Sequence, residues 1–302
     1  MSCLAFGASA LGGVFGAVDE GDGMRAVHAA LDGGINYIDV SPFYGLTKAE
    51  TVLGRALKGI NRERYYLSTK CGRYGHDFTD FDFSADRVTR SIDESLTRLG
   101  VSHVDLLFAH DIEFGNLEQV IHETLPAMAK IKQQGKARYI GVSGLPLKVF
   151  TTVVSQVPEG TLDAVLSYCH YGLNDTSLLS ILPELEAKGI GVVSAAPLSM
   201  GLLTPQGPPD WHPAPQQLKQ KCGEAAAHCA AKGKNLSKLA VQYALAEPRI
   251  ATTLVSADHP QKVETNLACM DEPIDEQLLA EVLQILEPVH NVTWPSGRAE
   301  NN

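Results

Sequence analysis

The sequence predicts an α/β protein, a (β/α)8 barrel of the TIM-barrel type that forms one domain over residues 1–302. Short, continuously apolar runs alternate with segments of helical periodicity, which is typical of a parallel sheet covered by helices. The apolar runs number eight, and eight parallel strands close a barrel. A barrel of this kind usually has about 250 residues. A two-domain doubly wound enzyme is the alternative, but no linker or break in composition divides the chain.

The predicted elements alternate along the chain. Strands are expected at residues 4–8, 37–40, 65–70, 104–109, 137–143, 162–168, 190–195 and 250–256. Helices are expected at residues 22–32, 48–58, 84–99, 117–134, 147–155, 178–188, 216–232, 237–246, 260–270 and 275–286. Glycines such as Gly33, Gly100 and Gly135 follow predicted helices and mark their ends. The tail from Glu287 is expected to be irregular.

Composition and charge exclude several classes of function. The net charge of -10 argues against nucleic acid or an anionic membrane as a partner, because both attract a basic surface. No cleavable signal or membrane span is predicted. The six cysteines contain no CxxC pair and indicate reduced thiols in a cytosolic protein. Cys222, His228 and Cys229 lack a second pair of ligands, so we expect no metal.

Four proton-active side chains lie at the ends of three successive predicted strands. Asp39 lies near the end of the second strand, and Tyr44 follows in the loop that Pro42 opens. Lys70 ends the third strand, and His110 follows the fourth. Each residue alone has an ordinary structural interpretation, such as a turn acid or a solvated strand end. Together they predict a site, because ligands bind at the carboxyl ends of barrel strands.

These residues suit proton transfer to or from an oxygen atom. A free tyrosine has a pKa of about 10, and a neighbouring ammonium group lowers the pKa. Lys70 can supply that charge to Tyr44, Asp39 can keep Lys70 protonated, and His110 can hydrogen-bond the substrate oxygen. The chain has no G-x-S-x-G, HExxH or paired glycosidase carboxylates. Hydride transfer would therefore need a bound cofactor.

The cofactor site is expected at the loops after the seventh and eighth strands, where barrels bind phosphate groups. No GxGxxG follows a strand, since residues 189–194 (GIGVVS) lead into one. In the seventh-strand loop, residues 196–203, Gly201 allows close backbone approach. After the eighth strand, Pro260 fits the first turn of a helix whose N–H groups could face an anion. Both segments could also be ordinary turns.

The tetrad of Asp39, Tyr44, Lys70 and His110 resembles the catalytic tetrad of the aldo-keto reductases. Residues 135–144 (GKARYIGVSG) and 196–203 (APLSMGLL) resemble the fifth-strand and seventh-strand motifs of that family. The runs CGRY, HDIEFG and LLTPQGPPDWHP are similar to those of its sugar-oxidising members. The resemblance covers nearly the whole chain.

The resemblance implies NAD-dependent oxidation of an aldose, L-galactose, at carbon 1 to its lactone, a step toward ascorbate. Tyr44 would take the proton of the anomeric hydroxyl group while hydride leaves carbon 1. Lys70 and Asp39 would tune Tyr44, and His110 would orient the sugar. Two alternatives remain open. One is a broader aldose dehydrogenase (L-fucose or D-threo-aldoses) or an NADP-dependent aldehyde or ketone reductase. The other is a non-catalytic cofactor-binding subunit, similar to potassium-channel β-subunits.

The resemblance also implies the binding residues. Tyr168 is expected to stack on the nicotinamide, because Ala195 stands where many members place an aromatic residue. Asp258 and Glu264 flank Lys262 and would repel a 2′-phosphate, which favours NAD over NADP. The full set of expected NAD contacts is Ser143, Gly144, Tyr168, Pro197, Leu198, Gly201, Leu202, Ser256, Lys262 and Asn266. The expected sugar contacts are Phe43, Trp211 and His212, the last two in a proline-rich insertion (residues 204–215) that is a lid candidate.

One departure from the family concerns the start of the barrel. Members usually have an N-terminal hairpin before the first strand, and here the first strand begins almost at Met1. We therefore expect the hairpin to be missing and the floor of the barrel to be partly open. The expected partner is a small sugar only, and the expected assembly is a monomer or a weak homodimer.

Overall fold

The computed structural model describes residues 1–14 and 16–302. Within them, eight parallel strands form a closed barrel in which each strand pairs with the next and β8 pairs with β1. The predicted barrel is therefore confirmed. The strands are β1 Leu4–Gly7, β2 Tyr37–Asp39, β3 Tyr66–Cys71, β4 Val104–Ala109, β5 Ala137–Gly144, β6 Ala164–Tyr168, β7 Gly191–Ala195 and β8 Thr252–Ser256.

Helices surround the barrel, and several begin at side-chain caps. Asp19 and Ser84 accept backbone N–H groups at the starts of α1 and α3, and Gly100 ends α3 in the left-handed conformation (φ 68°). The helices are α1 Glu20–Asp32, α2 Lys48–Leu57, α3 Ala85–Leu99, α4 Leu117–Gln119, α5 Leu125–Gln133, α6 Leu147–Gln156, α7 Leu182–Ala187, α8 Gln216–Ala231, α9 Leu236–Leu245, α10 Pro260–Asp271 and α11 Glu276–Leu286.

Two helices differ from the prediction, and proline accounts for both. The continuous helix expected at residues 117–134 contains a π-helical segment, Val120–Thr124, between α4 and α5. Pro126 follows this segment in the first turn of α5 and cannot donate the next backbone hydrogen bond. The helix expected at residues 178–188 is shortened to α7, because Pro183 lies in its first turn. A 3-10 turn, Ser177–Ser180, precedes it.

Apolar side chains fill the inside of the barrel, which is therefore a packed core and not a pore. Alternate strand positions supply these side chains: Ala5, Tyr37, Leu106, Phe108, Ala164, Leu166, Val193 and Leu254. A larger cluster packs the outer faces of the strands against the helices. The polar residues at the carboxyl ends of the strands thus lie directly above an apolar layer.

The floor of the barrel is open at two tyrosines. Tyr66 pairs in register with Tyr37, and Tyr139 pairs with Leu106, so both tyrosines share the inward face of the strands. They are nevertheless 42% and 51% exposed. Among the described residues the first strand is β1. No helix in this part of the chain is long and apolar enough to cross a bilayer.

Candidate active site

The four strand-end residues converge at the mouth of the barrel. Lys70 is buried, pairs with the Asp39 carboxylate, and donates to the Val40 carbonyl oxygen at 3.0 Å and to Tyr44 Oη at 3.2 Å. An ammonium group has three protons, so all of its donor capacity is used. Ser68 donates to the second oxygen of Asp39 at 2.6 Å. The geometry therefore holds an ammonium group against a phenol.

His110 completes the group. Its ring lies perpendicular to that of Tyr44, with centroids 5.8 Å apart. Ser41 Oγ lies 3.0 Å from His110 Nδ1 and accepts the Phe43 N–H at 3.1 Å. We assign the Ser41 proton to the bond with Nδ1, which leaves the ring proton on Nε2. Burial, helped by the charges of Lys70 and Arg73, holds the pKa of His110 well below its ordinary value, so the imidazole is neutral.

The tyrosine is less acidic than the sequence suggested. Burial raises the pKa of Tyr44, and the opposing charge of Lys70 does not cancel that rise. Desolvation thus outweighs the ammonium group, and the phenol is protonated at neutral pH. For Lys70 the balance runs the other way. Burial lowers the pKa of Lys70, but the charge of Asp39 and the hydrogen bonds to Asp39 and Tyr44 raise it further, so the ammonium form is stabilised.

Two further charged residues line the mouth, and the sequence analysis did not single them out. Arg73, in the loop after β3, donates to Asp111 Oδ2 at 2.5 Å. Its guanidinium group stacks 3.5 Å from the centroid of the Phe43 ring. Asp111 is buried and follows His110 directly, with Oδ2 at 3.7 Å from His110 Nε2. Both follow strand ends, which is the signal that could have identified them.

Glu113 is a third buried acid at the mouth of the barrel, after Asp39 and Asp111. Its Oε1 accepts from the Leu145 N–H at 3.1 Å, from Ser296 Oγ at 2.9 Å and from the Tyr168 hydroxyl at 3.4 Å. Its Oε2 has no partner. Burial, with a smaller contribution from Asp111, raises the pKa of Glu113 to about 8. Ser296 belongs to the tail, which the sequence analysis treated as irregular and which packs on the mouth here.

The expected nicotinamide contacts Ser143 and Gly144 lie beside Asp111 and Glu113. Ser143 is buried at the end of β5 and accepts the Asp111 N–H at 3.2 Å. A Cβ atom at Gly144 would lie 2.7 Å from Glu113 Oε2, so a larger residue there would displace the Glu113 carboxyl group. Tyr168 pairs in register with Ala195 and therefore shares its face of the sheet. This position is compatible with the stacking role expected for Tyr168.

The loop after β7 has an unusual backbone. Ala196, Ser199 and Met200 have positive φ angles of 54°, 46° and 52°, and Gly201 has 105°. Leu198 (φ -89°, ψ 9°) precedes these residues. They form a series of tight turns in which the N–H groups of Ser199, Gly201 and Leu202 already bond carbonyl oxygens of the same loop. The pyrophosphate contact expected of this loop, which also contains Pro197, stays a prediction.

The loop after β8 and the start of α10 form the other end of the expected cofactor site. Lys262 Nζ lies 2.7 Å from Asp258 Oδ2, so this ammonium group is already paired. Asp258 Oδ1 is buried and has no hydrogen-bond partner. His259 Nε2 lies 3.5 Å from this oxygen. A carboxylate at this position suits a ribose hydroxyl group better than a phosphate. Ser256 bonds Ser9 Oγ at 2.7 Å, and Asn266 is half-buried on α10.

The insertion places its two expected sugar contacts differently. Trp211 is 57% exposed. His212 is buried, accepts the Ala214 N–H on Nδ1 at 3.1 Å and has Nε2 at 3.1 Å from the Ser199 carbonyl oxygen. The fold therefore uses both ring nitrogens of His212, and these bonds tie the insertion to the β7 loop. The sugar contacts expected of Trp211 and His212 stay predictions.

The cysteines and the group of Cys222, His228 and Cys229 have no ligand-binding arrangement in the described residues. All six cysteines are free thiols. Cys222 and Cys229 are buried on α8, and His228 Nε2 lies 2.7 Å from Glu281. Residues 1–14 and 16–302 contain no group of three or more His, Cys, Asp or Glu side chains that could hold a metal ion.

Comparison with known proteins gives consistent matches. The profile of the Aldo/keto reductase family matches residues 3–287. The chain is 53% identical to L-galactose dehydrogenase of Arabidopsis thaliana, over 100% of this chain and 95% of that protein. It is 35% identical to D-arabinose 1-dehydrogenase of Saccharomyces cerevisiae, over 72% and 67% of the two chains.

Solved structures agree with these matches. The holo form of the aldo-keto reductase AKR11C1 from Bacillus halodurans aligns with a TM-score of 0.76 at 25% identity, covering 98% of this chain and 94% of that one. The glycerol dehydrogenase AKR11B4 from Gluconobacter oxydans aligns with a TM-score of 0.73 at 26% identity, covering 99% and 96%. The family profile matches nearly the whole chain, and the chain folds into a barrel with the predicted tetrad at its mouth. The chain therefore belongs to the aldo/keto reductase family.

Proposed function

We propose that this protein is an NAD-dependent L-galactose 1-dehydrogenase that oxidises carbon 1 of the sugar to the lactone. The observation that carries the proposal is the 53% identity over the full chain to L-galactose dehydrogenase of Arabidopsis thaliana. Two more distant relatives are named as aldose 1-dehydrogenases, from Saccharomyces cerevisiae and a Pseudomonas species. They support oxidation of an aldose at carbon 1. In this proposal the lactone serves ascorbate synthesis.

The mouth residues divide the proton chemistry among them. Tyr44 accepts the proton of the anomeric hydroxyl group, and Lys70, at 3.2 Å, stabilises the phenolate that must form first. Asp39 keeps Lys70 charged. His110 donates from Nε2 to the sugar oxygen and orients it. NAD, held by the β7 and β8 loops beside Ser143 and Tyr168, supplies the hydride acceptor when it is bound.

The choice of NAD over NADP is proposed from the charges at the start of α10. Lys262 is paired with Asp258, and Glu264 is exposed on the next turn. A 2′-phosphate would meet two carboxylates there and no free cation from Lys262. We expect a higher kcat/KM with NAD than with NADP, and Asp258→Ala should narrow the difference because it frees Lys262. A clear preference of the unaltered protein for NADP would contradict the proposal.

The decisive assay is a panel of aldoses with both cofactors. We expect oxidation of L-galactose to exceed that of L-fucose and D-arabinose, with NAD as the better acceptor. Reduction of simple aldehydes with NADPH, without oxidation of any aldose, would instead identify a general reductase. Binding of either cofactor without turnover of any substrate would identify a non-catalytic cofactor-binding subunit.

The insertion is proposed as a lid through Trp211. The Trp211 side chain is exposed, while His212 anchors the same segment to the β7 loop. The Trp211 side chain can therefore change position while the rest of the insertion stays in place. Trp211→Ala should raise KM for the sugar or for NAD. Tyr66→Ala, which removes an exposed ring from the floor of the barrel, is the matched control. Unchanged KM values for both ligands in Trp211→Ala would remove the lid role.

Localisation and assembly are proposed on weaker grounds. The free thiols support a reducing compartment such as the cytosol. The sugar is the expected partner, and we propose a monomer or a weak homodimer. Sedimentation analysis across a range of concentrations tests the assembly, and a stable higher oligomer would contradict it.

A further inference from the structure

We propose that Asp111 and Arg73 form the group that recognises the sugar hydroxyls, with Asp111 accepting a hydrogen bond from the hydroxyl on carbon 2. This inference rests on the proposed oxidation of an aldose at carbon 1. It adds a specificity-determining pair to the tetrad. It also explains why a polyol, rather than a simple alcohol, would be preferred at this mouth.

The first argument is placement. Asp111 Oδ2 lies 3.7 Å from His110 Nε2, and that nitrogen is the one left to donate to the reacting oxygen. In an aldose the oxygen on carbon 2 lies next to the oxygen on carbon 1, about one hydrogen-bond length away. A sugar oxygen bound to His110 therefore brings its neighbour within reach of the Asp111 carboxylate.

The second argument is unused hydrogen-bonding capacity. Asp111 Oδ2 accepts from Arg73 Nη1, and Arg73 Nε donates to the Gly75 carbonyl oxygen at 3.4 Å. Among the described residues, Asp111 Oδ1 and Arg73 Nη2 have no hydrogen-bond partner. Neither atom is fully buried, so both can accept a ligand contact. The pair thus offers one acceptor and one donor to the mouth. A carboxylate beside a guanidinium group suits a diol, whose hydroxyl groups both donate and accept.

The third argument is that the pair is held in place. Asp111 has a left-handed backbone (φ 52°), and Ser143 Oγ accepts its N–H. Arg73 stacks on Phe43, whose ring contacts that of His110 at 5.9 Å. Burial raises the pKa of Asp111 although Arg73 opposes the rise, so the carboxylate is not fully compensated. A further donor, such as a sugar hydroxyl, would compensate it.

A purely structural interpretation makes a different prediction. If Asp111 only held Arg73 against Phe43, its loss would impair every sugar alike. If Asp111 reads the hydroxyl on carbon 2, its loss matters only for sugars that carry that hydroxyl. The two interpretations are therefore separated by a substrate that lacks one oxygen.

The test compares Asp111→Asn with the unaltered enzyme on three sugars: L-galactose, 2-deoxy-L-galactose and L-fucose, which lacks only the hydroxyl on carbon 6. Asparagine keeps the shape and tolerates the left-handed backbone. We expect kcat/KM to fall by about 10- to 100-fold for L-galactose and L-fucose, the loss typical of a hydrogen bond to a charged group. For 2-deoxy-L-galactose we expect a fall of less than about 3-fold, since that bond is absent. An equal loss on all three sugars would overturn the inference.

Two controls keep the outcome distinct. Asp105→Asn alters another buried, arginine-paired aspartate, outside the mouth, and should change the three kcat/KM values by a common small factor. The unaltered enzyme provides a measurement that needs no variant to fold. It should prefer L-galactose to the 2-deoxy sugar by more than about 10-fold, and equal values would also overturn the inference. If the unaltered enzyme oxidised none of the three sugars, the proposed function itself would fail.

Discussion

Two buried aspartates, at opposite ends of the strands, form ion pairs in very different surroundings. Asp39 lies at the mouth and pairs with Lys70, whose side chain is only 1% exposed. Asp105 lies near the start of β4 and pairs with Arg62 at 2.5 Å and Arg138 at 3.0 Å, whose side chains are 23% and 56% exposed. One pair is enclosed completely, and the other reaches solvent through its cations.

The difference lies in what each group contacts next. Asp105 also accepts the Leu67 N–H at 2.8 Å, so its two oxygens tie together the starts of β3, β4 and β5. Lys70 instead directs its remaining donor to the phenol of Tyr44. An aspartate-cation pair is therefore structural where it binds backbone and guanidinium groups. Such a pair can take part in catalysis where its cation faces a group that exchanges a proton. The amino end of a barrel usually serves stability and the carboxyl end serves function.

The largest effect that tests this comparison is expected at Tyr44. Tyr44→Phe removes the proposed proton acceptor and keeps the ring, so kcat should fall by about 10³-fold, within the range typical of acid–base groups. NAD binding, followed by fluorescence titration, should be unchanged. Tyr66→Phe, at the floor of the barrel, is the matched control. A near-normal kcat in Tyr44→Phe would exclude Tyr44 as the base.

Asp105→Asn should show the opposite pattern. Removing one partner of a buried pair costs about 3–5 kcal/mol, and we expect about 2 kcal/mol here because both guanidinium groups can be hydrated by solvent. Denaturant unfolding measures the loss, and kcat and KM should stay within about 2-fold of their original values. A stable variant with impaired turnover would show that the amino end of the barrel contributes to catalysis.

The pH dependence of oxidation separates the two mouth groups that could titrate. In the proposed mechanism oxidation uses unprotonated Tyr44, and burial raises the pKa of Tyr44. We therefore expect kcat/KM to rise with pH through the neutral and alkaline range, by about 10-fold per unit. His110 is already neutral there, because its pKa is lowered, and should add no inflection near pH 6.5. A pH-independent kcat/KM would contradict a proton acceptor with a raised pKa.

Local patterns in the sequence were sufficient to predict most of the fold. The apolar run of β4 was predicted at the same bounds that the structure shows, residues 104–109. Gly100 marked the end of α3 because its left-handed backbone suits glycine. The π-helical segment before Pro126 escaped prediction, since helical periodicity does not distinguish a one-residue change in hydrogen bonding.

The site was predictable only where strand ends define it. Asp39, Lys70 and His110 were brought together by the rule that parallel strands end at one rim. Glu113 was not identified, because its contact with Ser296 joins residues 183 positions apart. The same limit applies to His212, because its bond to the Ser199 carbonyl oxygen depends on the folded course of the insertion. Contacts of this kind are set by tertiary packing and leave no local pattern.

Glu113 is a third case beside the two aspartates, Asp39 and Asp105. It is a buried acid whose hydrogen-bond partners are all neutral, whereas each aspartate pairs with a cation. Its pKa is raised to about 8, so the folded chain binds a proton that the unfolded chain releases at lower pH. The stability from that proton is fully present below the unfolded pKa of about 4.3 and is lost as pH rises through about 8.

Glu113→Gln replaces the protonated acid with a neutral side chain of the same shape. The melting temperature of the unaltered chain should fall between about pH 5 and about pH 8.5 by ~2 to 5 °C more than that of Glu113→Gln. Asp105→Asn should not flatten the pH dependence in this way, because the partners of Asp105 are guanidinium groups that stay charged. Parallel pH profiles for Glu113→Gln and the unaltered chain would mean that Glu113 is ionised in the fold, and that its unpaired oxygen is compensated in some other way.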